Sequence, residues 1–279
     1  MITVQQALRE GSAALHPFSP SARLDAEVLL GHVLRLRRVD LYAQPERLLT
    51  PEEALAYRAL LERRRQQEPV SYLRGQKEFF GLALAVDHRV LIPRPETEVL
   101  VERALAAARA RDRPDLVLAD IGTGSGCIAV ALACHLPQAR VYATDISPQA
   151  LEVAGENVRR HGLGERVLLL CGDLCAPLPE PVDLLVCNPP YTVWEDLPAG
   201  ITAFEPRLAL DGGSDGLEVY RRLLPQIGLA VLPGGQALLE VGDSQAEAVL
   251  ALAGSVLPGA RRRTWPDYSG RTRVVEISL

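Results

Sequence analysis

Asn188-Pro189-Pro190-Tyr191 places a carboxamide, two prolines and an aromatic ring directly behind the apolar run Val182-Asp183-Leu184-Leu185-Val186-Cys187. The run reads as a buried parallel strand, and the prolines, which carry no backbone N–H, end it. Open α/β sheets bind ligands at the carboxyl ends of their strands. An amide, two bare carbonyls and a ring are therefore expected at a binding edge. Taken alone, the same four residues would also serve as a strand stop and a loop; what lies upstream favours a site.

Upstream, the strand Leu116-Val117-Leu118-Ala119-Asp120 runs into Ile121-Gly122-Thr123-Gly124-Ser125-Gly126 and then into a helix, Cys127 to Leu136. Three glycines in five residues allow tight turning and close approach of a ligand, and the helix start offers free N–H groups. The next strand, from Arg140 to Thr144, ends in Asp145, nineteen residues beyond Gly126, where a carboxylate can receive ribose hydroxyls. The pattern G-x-G-x-G is one residue shorter than a dinucleotide fingerprint, and no Walker lysine follows it. An adenosine-type ligand is expected rather than a nucleoside triphosphate to be hydrolysed. A third strand, Arg166 to Cys171, closes with Gly172-Asp173-Leu174. By the same edge argument Asp173 lies where it could accept the adenine amine, and Leu174 where it could cover the ring; a loop-capping role for Asp173 is the alternative.

The elements that must hold these groups follow from periodicity. From Val4 to about Gln67 the pattern is helical, with Ala22, Leu24, Ala26, Val28, Leu29, Leu30 and Val33 at helical spacing and a start signal at Thr50-Pro51-Glu52-Glu53. Arg63-Arg64-Arg65 reads as a solvated helix face. Between Pro69 and Pro93 the texture changes to short strands, 78–81, 82–86 and 90–92, which suit a hairpin linker. Pro93-Arg94-Pro95-Glu96-Thr97-Glu98 then opens a helix through Leu100, Leu105 and Ala108, although helix formation alone gives no reason for Arg94. Beyond Leu116 strands and helices alternate, the mark of a doubly wound parallel sheet. The expected divisions are residues 1–73 (helical), 74–92 (hairpin linker) and 93–279 (α/β).

A chain of 279 residues can bury a sizeable core, and 48% hydrophobic residues is ordinary for a globular protein. No apolar run reaches membrane-spanning length, and Met1-Ile2-Thr3-Val4-Gln5-Gln6 lacks a basic region followed by an apolar core. A cytoplasmic location is expected. The net charge of −5 argues against duplex nucleic acid as the main partner, because such binding neutralises many phosphates. Cys127, Cys134, Cys171, Cys175 and Cys187 form no CxxC pair and no histidine cluster has zinc spacing, so no metal is expected and all five read as small core residues.

The chain resembles the protein-(glutamine-N5) methyltransferases of the HemK/PrmC type, which modify peptide-chain release factors. The resemblance covers essentially the whole chain. It rests on Pro69 to Gly75, Ile92-Pro93-Arg94-Pro95-Glu96-Thr97-Glu98, Asp120 to Gly126, Asn188 to Tyr191, Glu205-Pro206, Asp215-Gly216-Leu217 and Asp267 to Val274. It implies a class I S-adenosylmethionine-dependent methyltransferase, a Rossmann-like doubly wound sheet, with a small N-terminal helical domain that helps hold the release factor. The acceptor it implies is the glutamine of the Gly-Gly-Gln loop of class 1 release factors. Cofactor contacts are then expected from Asp120, Gly122, Thr123, Gly124, Ser125, Gly126, Asp145, Asp173, Leu174 and Asn188. Catalytic and substrate contacts are expected from Asn188, Pro189, Pro190 and Tyr191, with Arg94 and Glu96 on the substrate side. Leu174 stands where the family often has an aromatic residue.

Three other readings share parts of the pattern. Glutamine methylation of a ribosomal protein such as uL3 would use the same chemistry. Adenine-N6 methylation of nucleic acid would use the same Asn-Pro-Pro-Tyr pocket on a flipped base, but it calls for a basic face that this sequence lacks beyond Arg261-Arg262-Arg263. A cofactor-binding module without catalysis would have no need of the Asn188 amide.

Overall fold

The computed structural model describes residues 1–111 and 113–279. They form two compact units, Met1–Gln76 and Lys77–Leu279.

The first unit is helical, with α1 (Val4–Leu15), α2 (Ala22–Leu34), α3 (Arg38–Ala43), α4 (Pro51–Arg65) and α5 (Val70–Arg74). Capping boxes start α1 and α4: the Thr3 hydroxyl accepts from the Gln6 N–H while Gln6 Oε1 accepts from the Thr3 N–H, and Thr50 and Glu53 repeat this ahead of a first-turn proline. Val4, Leu15, Leu29, Leu30, Leu41, Tyr57 and Leu61 close one core. The end of α4 departs from a uniformly solvated face. Arg64 Nε donates to Asp25 Oδ2 at 2.8 Å with both side chains largely buried, because Asp25, already holding the Ser19 and Ser21 hydroxyls, is a buried charge that needs a cation.

The second unit opens with a hairpin, β1 (Gln76–Phe79) and β2 (Leu82–Ala85). Then come α6 (Thr97–Arg109), β3 (Val117–Ile121), α7 (Cys127–His135), β4 (Arg140–Asp145), α8 (Pro148–Arg160), β5 (Val167–Cys171) and β6 (Val182–Cys187). The short α9 (Ala199–Thr202), α10 (Glu218–Ala230), β7 (Val231–Glu240), α11 (Ala246–Val256), β8 (Arg261–Pro266) and β9 (Thr272–Ser278) complete it. The sheet order is β5-β4-β3-β6-β7-β9-β8, parallel except that β9 runs antiparallel to both β7 and β8. Side chains alternate between two apolar layers. Leu118, Leu184, Val186 and Leu238 face the layer under α6 and α7; Ala119, Ile121, Leu185, Leu239 and Ile277 face the layer under α10 and α11. The order in which parallel strands are added reverses between β3 and β6, which puts a crevice beyond their carboxyl ends. Among the described residues no helix is long and apolar enough to cross a membrane.

Two local expectations need correction, on the strand at 90–92 and on the cysteines. Val90-Leu91-Ile92 is loop rather than a third strand, and the Ile92 N–H donates to Glu205 Oε2 at 3.0 Å instead of to a ladder. Gly234-Gly235 lies inside β7, at a register shift between Val182↔Val231 and Leu184↔Gln236. Cys134 and Cys171 are exposed, one at the outer end of α7 and one ending the edge strand β5; Cys175 and Cys187 are buried. The arginine-rich β8 carries no apolar alternation, which is why it escaped sequence reading; as the edge strand it is protected from further pairing by its charges.

Candidate active site

Asn188 follows the last residue of β6. The ladder pairs Cys187 with Ile121 on one side and Leu239 on the other, so Gly122, Asn188 and Glu240 stand level at the carboxyl edge. Asn188 Nδ2 donates to Thr97 Oγ1 at 3.1 Å, and among the described residues no donor reaches its Oδ1. The Tyr191 hydroxyl donates to Glu240 Oε1 at 3.1 Å. Gln245 holds the Tyr191 backbone: its Nε2 donates to the Tyr191 carbonyl at 2.8 Å and to the Gly216 carbonyl at 3.2 Å. Gly212 packs so closely that a Cβ there would sit 2.8 Å from Tyr191 Cα, and glycine is required by that approach.

Glu240 is fully buried at the end of β7. Burial pushes its carboxyl up to about 7, against the neighbouring Thr97 and Tyr191 hydroxyls and the Arg273 charge, which pull it down; Glu96 adds to the rise. Tyr191 is raised by burial and then by Glu240. Glu96 itself is exposed, immediately ahead of α6. Arg94 Nη2 donates to Glu205 Oε1 at 2.6 Å, and Glu205 is buried. The two motif segments, Ile92 to Glu98 and Glu205-Pro206, are thus tied together by one carboxylate.

Across the crevice, Asp120 Oδ2 accepts the Thr123 hydroxyl at 2.6 Å and the Ala129 N–H at 3.1 Å. Its Oδ1 is buried without a hydrogen-bond partner. Burial pushes the carboxyl up to about 7 despite those two bonds, and the Asp145 charge adds to the rise. Asp145 Oδ2 accepts the Gly124 N–H at 2.8 Å and its Oδ1 the Ser147 N–H at 2.9 Å, so one carboxylate joins the glycine turn to the end of β4. Gly122 and Gly124 have positive φ, and a Cβ on either would project into open space. An unpartnered buried carboxylate oxygen below an open glycine turn fits a ligand that carries cationic nitrogen or sulfur. Further along, both Asp173 oxygens take Arg222 Nη2 at 2.6 Å. Leu174 adopts positive φ, and its carbonyl accepts the Thr144 hydroxyl at 2.9 Å.

Comparison with known proteins points the same way. The PrmC N-terminal domain family matches residues 6–75 and the methyltransferase small domain family residues 97–202. A release factor glutamine methyltransferase of Moorella thermoacetica is 47% identical over 277 residues, 98% of this chain and 97% of that protein. This chain belongs to the release factor glutamine methyltransferase family. Another member, from Geobacter sulfurreducens, is 48% identical over 236 residues, 83% of this chain and 81% of that one. A solved methyltransferase from Pyrococcus furiosus shares the fold, with a TM-score of 0.52 at 21% identity over 72% of this chain and 90% of its own.

Four residues that sequence reasoning did not single out as site residues hold the site: Thr97, Glu240, Gln245 and Asn157. Asn157 of α8 accepts the Ala85 N–H at 2.6 Å and donates to the Ala85 carbonyl at 3.0 Å and the Ser125 carbonyl at 2.8 Å, fixing the glycine turn to the hairpin. Two signals were available. Glu240 is a lone acid closing the apolar run 237–241, and Asn157 falls on the face of α8 shared by Ala150, Val153, Ala154 and Val158. Buried polar groups in such places are retained only when they are hydrogen-bonded.

Proposed function

We propose that this chain transfers the methyl group of S-adenosylmethionine to the side-chain amide nitrogen, N5, of the glutamine in the Gly-Gly-Gln loop of class 1 peptide-chain release factors. The observation that carries the reading is the committed Asn188 amide. With Nδ2 spent on Thr97, the side chain offers its oxygen to the crevice, beside the Pro189 carbonyl, and two acceptors match the two N–H bonds of a primary carboxamide.

S-adenosylmethionine, when bound, supplies a methyl group on a positively charged sulfur. Asp120, Gly122, Thr123, Gly124, Ser125 and Gly126 would cradle it. Asp145 would receive its ribose, with Asp173 and Leu174 at the adenine end. A carboxamide nitrogen is a poor nucleophile because its lone pair is delocalised into the carbonyl. Asn188 Oδ1 and the Pro189 carbonyl would hold both N–H bonds and so aim that lone pair, with Tyr191 packed on the amide plane. Orientation of this kind supplies up to roughly 7 to 11 kcal/mol. A glutamate side chain lacks the N–H bonds and would leave both acceptors unpaired, at about 1 to 3 kcal/mol each. Arg94, already tied to Glu205, and exposed Glu96 would meet the release factor at the rim, and residues 1–73 would help to hold it.

Mass spectrometry of a purified release factor, incubated with this protein and S-adenosylmethionine, tests the reading. One added methyl on the Gly-Gly-Gln glutamine, absent when that glutamine is alanine, is expected. No methyl in spite of demonstrated cofactor binding would overturn it.

A further inference from the structure

The segment Asn188-Pro189-Pro190-Tyr191 carries the acceptor carbonyl of Pro189, yet its two prolines have no N–H by which to be held. Proline fixes φ, and a residue ahead of a proline is confined to extended ψ, so Asn188 to Pro190 forms a short stiff rod. A rod is placed by its ends. At one end Asn188 follows β6 and donates to Thr97 Oγ1. At the other, the Tyr191 carbonyl accepts from Gln245 Nε2 at 2.8 Å, and the same nitrogen reaches the Gly216 carbonyl at 3.2 Å. Gln245 Oε1 in turn accepts the Gly242 N–H at 3.1 Å. A backbone N–H only donates and a carbonyl only accepts, so these partners fix which way round the Gln245 amide lies. Space for it comes from Gly216: its φ is +71°, and a Cβ there would stand 2.4 Å from both Gln245 Nε2 and the Tyr191 carbonyl oxygen. Asp215 holds that turn, its Oδ1 accepting the Leu217 N–H at 3.1 Å and Arg221 Nη1 at 3.0 Å. The Asp215-Gly216-Leu217 motif, to which the cofactor and acceptor contacts give no role, thereby meets the active-site loop.

Resting on the function proposed above, we infer that Gln245, seated by Gly216, is a positioning residue for methyl transfer: it pins the far end of the Asn188 to Tyr191 segment and so aims the Pro189 carbonyl at an N–H of the acceptor amide. Gln245 touches neither substrate nor cofactor in this scheme. It acts through the Tyr191 backbone, whereas the Tyr191 ring is held separately, by its hydroxyl on Glu240. Thr192, the next residue, is tied by backbone bonds to Leu210 and Gly212, so losing the Gln245 bond frees the Tyr191 peptide without unfolding the loop. A shift of about 1 Å in a group that orients a reactant costs on the order of a hundredfold in rate. The glycine turn and Asp145, where the cofactor would sit, make no bond to Gln245 and are left in place.

The test uses the full chain, S-adenosylmethionine and purified release factor, with Gln245→Met and Gln245→Glu. Methionine keeps the length of the side chain and removes its hydrogen bonds. Glutamate keeps an acceptor for the Gly242 N–H and, ionised at about pH 8, turns a lone pair instead of an N–H toward the two carbonyls. Both variants are expected to lose roughly ten- to a hundredfold in kcat, Gln245→Glu at least as much as Gln245→Met, with KM and the cofactor dissociation constant within about twofold of wild type. Cofactor stoichiometry by calorimetry counts the folded sites, so a smaller folded fraction does not pass for a smaller kcat. Faster exchange of the backbone hydrogens of residues 191–194, with those of β3 and β6 unchanged, is the second expected result. Wild-type kcat in either folded variant would overturn the inference, even if the other failed to fold. So would a loss of kcat matched by an equal loss of cofactor affinity, the mark of a collapsed sheet edge rather than of an acceptor group out of line. An inactive wild type would instead overturn the function on which the inference rests.

Discussion

Asn188 and Asp120 divide the work of the crevice, one facing the acceptor and one the cofactor, and they are expected to separate cleanly on mutation. Asn188→Ala removes an acceptor of the substrate N–H without touching the glycine turn. Cofactor affinity by calorimetry should stay within about twofold while turnover falls by roughly a hundredfold or more, the scale of a lost transition-state hydrogen bond; wild-type turnover would refute the assignment. Asp120 carries a pH signature. Its carboxyl sits at about 7 because of burial, so below that pH a proton must leave before a cationic ligand can be paired. Cofactor affinity is therefore expected to be about tenfold tighter at pH 8 than at pH 6. Asp120→Asn should bind more weakly and flatten the profile, and an unchanged slope in the variant would remove Asp120 from the site.

Elements bring these residues together because strand ends, unlike strand middles, release their side chains into the crevice. β3, β4, β6 and β7 deliver Asp120, Asp145, Asn188 and Glu240 to one edge, and α6 delivers Thr97 from its first turn. The turn between β3 and α7 is held by the Thr144 carbonyl, which accepts the Gly122 and Thr123 N–H groups, and by the side chains of Asp145 and Asn157. Asn157→Ala strips hydrogen bonds from the Ala85 N–H, the Ala85 carbonyl and the Ser125 carbonyl. A loss of about 3 kcal/mol in unfolding free energy is expected from unpaired buried groups, together with weaker cofactor binding. A variant as stable as wild type would show that the hairpin and the turn are held by other contacts.

At the scale of the whole molecule, burying acids at the crevice has a cost that depends on pH. Asp120 and Glu240 both stand at about 7, and Asp145 is raised in the same direction, all chiefly by burial. The folded chain keeps protons there that the unfolded chain releases above about pH 4. The unliganded protein should thus lose stability as pH rises from about 4 to about 7, by up to about 1.4 kcal/mol per pH unit per group. The exposed Asp215 and the half-buried Asp267, held at about 2 by Arg221 and by Ser269 respectively, act in the opposite sense, as stability lost when pH falls below about 4. Denaturant titrations at pH 5 and pH 7.5 test the first interval. Lower stability at pH 7.5, with a smaller difference in Asp120→Asn, is expected; a rise between the two would contradict the burial argument.

The alternation of strands and helices, the glycine turn and the strand stop at Asn188 were legible from the order of residues alone. Each of these is a local matter of backbone: glycine permits positive φ, proline removes a donor, and apolar runs mark buried strands. The edge strand β8 was hidden because charge, not apolar alternation, suits an edge, and Cys134 and Cys171 were misread because apolar neighbours in sequence do not decide which side of an element faces water. Legible only in the folded chain are the pairing of Thr97, ninety-one residues before Asn188, with its amide, the bond of the Tyr191 hydroxyl to Glu240 and that of Arg94 to Glu205. Those pairings join segments far apart in the chain through side-chain hydrogen bonds, whose partners are set by sheet register and helix placement and leave no periodic trace in the sequence.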